Sequence, residues 1–271
     1  MRTIRFIAAV FLVCLLVLTG CNNPKTAEAV ITKTAAEFAK IKSYQLDTDF
    51  ISNSDFIEWK GTKVVNVADK QMGMNMTITM GLSFPLHVTD EMYFMDGVDY
   101  LKTISEGALP QSAGWNRKKL VDDVWNRETQ LQVLPELLKS ASQYGSLETK
   151  QFNNIDCYVL MITPTAQAFV DFVLSVEQPG GPSFDGGGVG DTLVRTDAFS
   201  SGSVKLWIDK NSYLPIKVEV NIKFHGSLTD SFGSSNIYDE SFEGDLNYSR
   251  YNQSVFIQIP QDALNAQNVG N

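Results

Sequence analysis

Residues 213–224 read Tyr213-Leu214-Pro215-Ile216-Lys217-Val218-Glu219-Val220-Asn221-Ile222-Lys223-Phe224. Leu214, Ile216, Val218, Val220, Ile222 and Phe224 recur at every second position, and Lys217, Glu219, Asn221 and Lys223 fill the gaps. Successive side chains of a strand point to opposite faces, so this segment predicts a strand with one dry face and one wet face. Such one-sidedness belongs to an antiparallel sheet packed on one side only.

The same period of two spreads in both directions. Upstream, Val204, Leu206 and Ile208 alternate with Lys205 and Trp207, and downstream strands are expected over 242–251 and 255–259. Tyr44, Leu46, Thr48 and Phe50 alternate with Gln45, Asp47 and Asp49. Over 71–80, Met72, Met74, Met76, Ile78 and Met80 share one face, opposite Gly73, Asn75, Thr77 and Thr79. Branched side chains specify packing, whereas unbranched thioethers adapt to varied shapes and are favoured at promiscuous apolar sites. Plain core is the competing reading of this strand. Asp96-Gly97 and Asn153-Asn154 are hairpin turns, the first joining 91–95 to 98–103 and the second 147–152 to 155–163.

Helical spacing governs three segments: 26–43 through Ile31, Ala35, Phe38 and Ile41; 131–144 through Leu131, Leu134, Leu138 and Ala141, with Pro135 able to divide it; and 166–176 through Phe169, Phe172, Val173 and Val176, opened by Pro164. A one-sided sheet of roughly ten strands must curl or be covered. The fold class that follows is α+β: a curved antiparallel sheet forming an incomplete half-barrel closed by a few helices, with an apolar cavity lined partly by methionine. Candidate ligand-contacting residues are Met72, Met74, Met76, Ile78, Met80, Phe94, Val218, Val220 and Ile222.

The N-terminus has a different logic. Arg2 and Arg5 precede 13 apolar positions from Phe6 to Leu18, then the small pair Thr19-Gly20 and Cys21. The run is short of the ~20 residues a spanning helix needs, and its order of charge, apolar run, small pair and cysteine is that of a lipoprotein leader. Residues 1–20 are read as a removed signal peptide, with Cys21 acylated by palmitate-class chains, 21–28 as a tether, and 29–271 as one domain. Fully extended, its six residues from Asn22 to Ala27 reach about 20 Å, at roughly 3.3 Å per residue. The expected location is the extracytoplasmic face of a bacterial envelope membrane.

Loss of Arg2 and Arg5 takes the formal charge from −9 to −11. That surface repels nucleic-acid phosphates and anionic headgroups, so membrane contact is left to the lipid on Cys21. Cys157 alone remains in the folded chain, has no disulfide partner and sits in a strand-like apolar run. The glycine-rich segment 178–192 lacks the Lys and Ser/Thr of a phosphate loop and is read as a mobile loop. His87 and His225 are far apart, Gly181-Pro182-Ser183-Phe184-Asp185 misses the nucleophile elbow, and no metal-ligand spacing is present. No cofactor, no metal and no enzymatic activity are expected.

Lys42-Ser43-Tyr44, Tyr93-Phe94-Met95-Asp96-Gly97 with Tyr100-Leu101-Lys102, Trp115-Asn116-Arg117-Lys118, Asp156-Cys157-Tyr158, Leu206-Trp207-Ile208-Asp209 with Tyr213-Leu214-Pro215, and Tyr251-Asn252 before Ile259-Pro260 resemble the LolA-like lipoprotein-carrier superfamily. The nearest resemblance is to LppX/LprG-type bacterial lipoproteins, and it spans most of residues 30–262. It implies a half-barrel whose cavity holds the acyl chains of a lipid or lipidated molecule. The alternative is a non-carrier envelope sensor or structural module that contacts another protein. Cys21→Ala in the bacterial host should abolish acyl labelling and release the chain from the membrane fraction; a variant that still partitions with detergent would contradict the leader reading.

Overall fold

The computed structural model describes residues 26–52, 57–81, 86–106, 114–119, 125, 129–177, 199–229 and 235–266. The leader with Cys21 and the segment 178–192 lie outside the described residues. Twelve strands form one antiparallel sheet: β1 (Ser43–Ser52), β2 (Ile57–Asn66), β3 (Gln71–Met80), β4 (Leu86–Met95), β5 (Val98–Glu106), β6 (Asn116–Lys119), β7 (Gln143–Tyr144), β8 (Glu148–Phe152), β9 (Ile155–Thr163), β10 (Phe199–Asp209), β11 (Pro215–Thr229) and β12 (Ser235–Ser249). Their order is β6-β5-β4-β3-β2-β1-β12-β11-β10-β9-β7, with β8 also on β9, so the curved sheet stays open as an incomplete barrel. The join most distant in sequence is β1 with β12, which places residues from the two ends of the domain side by side, Leu46 opposite Tyr248.

Four helices are described: α1 (Ala27–Phe38), α2 (Val133–Lys139), α3 (Ala166–Glu177) and α4 (Gln261–Leu264). Among the described residues no helix is long and apolar enough to cross a membrane. The Thr26 hydroxyl caps α1 by accepting from the Ala29 amide, 3.2 Å away. The helix ends at Phe38, earlier than its apolar spacing predicts, because Ser43 already enters β1 and Ile41 is buried in the connection. The second helix is likewise shorter than 131–144. Pro135 lies in its first turn, where a missing amide costs nothing, and 143–144 pair with β9 as β7.

Both hairpin turns take the expected form. Asp96 and Gly97 have φ of 55° and 76°, Asn153 and Asn154 of 50° and 64°, the pair of positive values that a type I′ turn demands.

The inner face holds one continuous core. Leu246, Val218, Leu206 and Leu160 stand in register across β12, β11, β10 and β9, and each is buried, as is Leu46 on β1. Aromatic rings close the layer on both sides. Trp59, Phe242, Phe224, Phe199 and Phe169 form a chain of ring contacts 5.4–6.2 Å apart from β2 to α3. On the other side Phe38 of α1 packs edge-on against Tyr248 and Tyr251 and tilted on Tyr44.

The outer face is wet along β1, β12 and β11, where Lys217 bridges Glu219 at 3.2 Å and Asp245 at 2.8 Å. Asn75 and Thr77 keep it wet along part of β3, but the end of β4 and β5 that carries Tyr93 and Tyr100 is covered, against the expectation of a single dry face. The segment 255–259, anticipated as a strand, makes none. It crosses the outer face as an extended strap and leads into α4, with Ile259 and Ala263 buried against Tyr93, Tyr100 and Trp115. Tyr93, Tyr100 and Trp115 are themselves outward-pointing aromatics that require cover.

A tight contact at the sheet centre tests this packing. Gly244 lies opposite Phe50, and a Cβ there would run into the Phe50 ring. Gly244→Ala should lower the unfolding free energy by about 1–3 kcal/mol through overpacking, and pairing it with Phe50→Leu should recover part of the loss. Additive losses in chemical denaturation would contradict the contact.

Candidate functional site

Nine residues were expected to touch a ligand, and they fall into two patches of the same inner face. Met72, Met74 and Met76 on β3 lie beside Met92 and Phe94 on β4, with Met72 opposite Phe94 and Met74 opposite Met92. All five are buried, between 1% and 6% exposed. Ile78 is partly buried at the edge of this patch, and the side chain of Met80 lies outside the described residues. Val218, Val220 and Ile222 are on β11, separated from β3 by β2, β1 and β12, so about 19 Å of sheet lies between the patches at ~4.8 Å per strand. These three are buried at the centre of the ordinary core.

The two patches differ in chemistry. The β11 patch is surrounded by branched aliphatic and aromatic side chains. The methionine patch is bordered by polar groups that also point inward. Lys63 of β2 stands between Leu46 and Met74 and is 4% exposed. Asp90 of β4 is opposite Met76 and accepts a hydrogen bond from the Thr103 hydroxyl at 2.6 Å. Asp99 of β5 is opposite Phe94 and buried. Burial pushes the Asp90 carboxyl above the ordinary carboxylate range, opposed in part by the Thr103 hydroxyl. Its charge therefore opposes folding at neutral pH. Trp125 packs at a tilt on Phe94, ring centres 4.9 Å apart.

Sequence reasoning missed Lys63, Asp90 and Asp99. The signal was present in the phase: Ile57, Trp59, Gly61 and Val65 share a period with Lys63, and Val88, Met92 and Phe94 share one with Asp90. Charged residues in step with an apolar set must either be turned inward or break the strand.

At the other end of the inner face lies a tyrosine cluster. The Tyr44 hydroxyl donates to the Thr129 carbonyl, Tyr248 donates to Gln130 Oε1 at 2.8 Å, and Tyr251 donates to the Pro215 carbonyl at 2.7 Å. Burial raises all three pKa values, with Tyr248 adding to the rise at Tyr44 and Tyr251. Cys157 is buried, its thiol pushed up chiefly by burial, and so suited to packing rather than to nucleophilic attack. His225 pairs with Asp239 at 2.6 Å on an exposed part of β11–β12, and His87 lies beside Thr79 on the outer face. Among the described residues no three His, Cys, Asp or Glu side chains are grouped to hold a metal.

Residues 26–268 match the model of a family of unknown function, DUF6612, and the chain belongs to that family. No curated protein matches the chain. Among solved structures, LprF from Mycobacterium bovis is similar at 10% identity and a TM-score of 0.49, over 86% of this chain and 96% of that one. The Mycobacterium tuberculosis lipoprotein LppX is similar at 11% identity and a TM-score of 0.38, over 85% and 97%. A DUF1329 family protein from Desulfovibrio piger follows at 12% identity and a TM-score of 0.27, over 88% and 96%. None of these likenesses reaches a TM-score of 0.5.

The tyrosine cluster sets the response to alkali. Its folded-state pKa values lie above those of the unfolded chain, near 10, so above that pH the folded state retains protons that the unfolded state has lost. Stability is therefore full below about pH 10 and falls as pH rises, by about 1.4 kcal/mol per pH unit for each such tyrosine. Urea midpoints should be flat from pH 7 to 9 and drop steeply above 10, and Tyr248→Phe should make the drop shallower by about one proton. An unchanged slope in that variant would contradict the assignment.

Proposed function

We propose that the protein is an extracytoplasmic envelope lipoprotein, anchored through Cys21, that binds the apolar part of an amphiphile, of the lipid acyl-chain class, against the methionine patch of β3 and β4. The supporting observation is the combination at that patch: Met72, Met74, Met76 and Met92 packed together with Lys63 and Asp90 turned inward beside them. A core selected for stability alone favours branched aliphatics and excludes charge. Departures from that rule concentrate where function requires them. Each buried CH₂ of a chain contributes about 0.8 kcal/mol, so an acyl chain needs no directional contact to be held, and thioethers accept varied chain shapes. The inward polar groups offer a headgroup a place at the margin. The chemistry is non-covalent: the protein is a binder and carrier, not an enzyme.

The second reading, a sensor or structural module filled by its own side chains, is favoured by the nearly complete burial of the same methionines in one core cluster. Solvent extraction distinguishes the two. The chain from residue 22 onward, purified without the acylated cysteine, should yield about one equivalent of lipid by mass spectrometry. Replacing Met74 and Met76 by Phe should keep the fold and lower that yield several-fold. A folded wild-type protein that carries no lipid, and takes none up from mixed micelles, would move the assignment to the second reading.

A further inference from the structure

We infer that the outer face carries a second binding site, roofed by the C-terminal strap, for a small organic anion with a flat apolar body. The strap is pinned at both ends. At its start the Asn252 amide donates to the Ser43 carbonyl at 2.9 Å, Asn252 Oδ1 accepts from the Lys42 amide at 2.7 Å, and the Ser43 hydroxyl donates to the Gln253 carbonyl at 2.6 Å. At its far end Ile257 and Ile259 are buried, the first resting over Gly73, where a Cβ would touch it at 3.4 Å. Between the pins, Ser254, Val255 and Phe256 arch over β2 and β3 and leave a pocket of about 360 Å³. That volume is in the range of small-molecule sites.

The lining decides the ligand. Val64, Tyr93 and Val255 give an apolar floor and wall, Asn75 and Gln258 give neutral hydrogen-bonding groups, and Arg250 is the one charged residue among those that line the pocket. In a chain of net charge −9, two other hollows on the same outer face are rich in acids: Asp47 and Asp49 line one, and Asp49, Glu219, Glu243 and Asp245 line the other. Arg250 reaches the neutral Gln45 Oε1 at 3.5 Å and forms no ion pair among the described residues. The acids nearest the rim are already engaged by neutral donors: Asp47 accepts from Thr62 at 2.7 Å and from Gln45 at 3.1 Å, and Glu91 accepts from the Tyr93 hydroxyl at 3.0 Å. A guanidinium is built for carboxylate, sulfonate or phosphate oxygens. Phe256 is 88% exposed on the roof. An aromatic ring so placed is left largely in water, and a flat ligand lying across Tyr93 would supply it with a partner. Trp115, beside Tyr93 at 5.8 Å between ring centres, carries a buried indole N–H with no partner among the described residues. That end of the strap is therefore imperfectly satisfied without further atoms.

The pocket opens on the outer face of β3, across the sheet from the inner methionine patch, and shares Met74 with it, so the substitutions are made at Arg250 and Phe256, which belong to the pocket alone. The test uses naphthoate as the anionic probe and the uncharged naphthamide as its control, titrated by calorimetry into the full mature chain and two variants. Naphthoate should bind one to one, at least ten-fold more tightly than naphthamide. Arg250→Asn, chosen because residue 250 has φ of 54° and Asn tolerates that region, should bring the two probes to equal affinity. Phe256→Ala, at an exposed position that leaves the fold intact, should weaken both several-fold. Equal affinity of the two probes for the wild-type protein, no binding of naphthoate at millimolar concentration, or binding insensitive to both substitutions would overturn the assignment; the last outcome would place the probe on the inner face instead.

Discussion

Everything in this molecule follows from the need to take one face of a twelve-stranded sheet out of water. The alternation that begins at Tyr44 and ends at Tyr248 sends Leu46, Val218, Leu206 and Leu246 to the same side, and pairing of β1 with β12 makes that side continuous. Hydrophobic burial is non-directional and scales with area, so the sheet curls and recruits α1, α2 and α3. Phe38 plugs one margin of the core and Phe169 the other, each among rings contributed by the strands. Glycines mark where plug and sheet meet most closely: a Cβ on Gly202 would lie 2.8 Å from the Phe169 ring.

Within that common face, two halves have different characters. The half built from β9 to β12 is specified by branched and aromatic side chains, which fix one packing. The half built from β2 to β5 uses methionine and tolerates Lys63, Asp90 and Asp99. Buried charge is expensive unless it is partnered, and methionine defines a shape poorly. A fold needing only stability would have no use for either. One end of the same half is covered on its outer side by the strap and α4, so β4 and β5 are packed on both faces around Tyr93 and Tyr100, while β11 and β12 keep a solvated ladder of Lys217, Glu219 and Asp245.

Much of this was legible in the sequence because strand alternation and paired turn residues are local signals. Asp96-Gly97 and Asn153-Asn154 set their hairpins without help from distant contacts. The phase of 213–224 placed Val218, Val220 and Ile222 correctly on the inner face. The strap was not legible: Val255, Ile257 and Ile259 alternate as strand residues do, and only tertiary contact with Tyr93 and Tyr100 turns their alternation into a cover rather than a ladder partner. Nor does periodicity say how far apart on a face two strands lie. Met74 and Val220 share a side, yet the pairing order, which depends on β1 meeting β12, separates them by three strands.

The central claim is that the methionine half of the inner face receives an acyl chain. Methyl-labelled methionine provides the direct test, since Met72, Met74, Met76 and Met92 are inward while Met161 is on the outer face and 49% exposed. A fatty acid carrying a nitroxide near its terminal methyl should be titrated into the protein while the methionine methyl resonances are followed. Broadening of the four inward methyls at stoichiometric ligand, with Met161 unaffected, is the predicted result. Broadening confined to Met161, or uniform across all methionines, would show the chain bound at the surface and contradict the account.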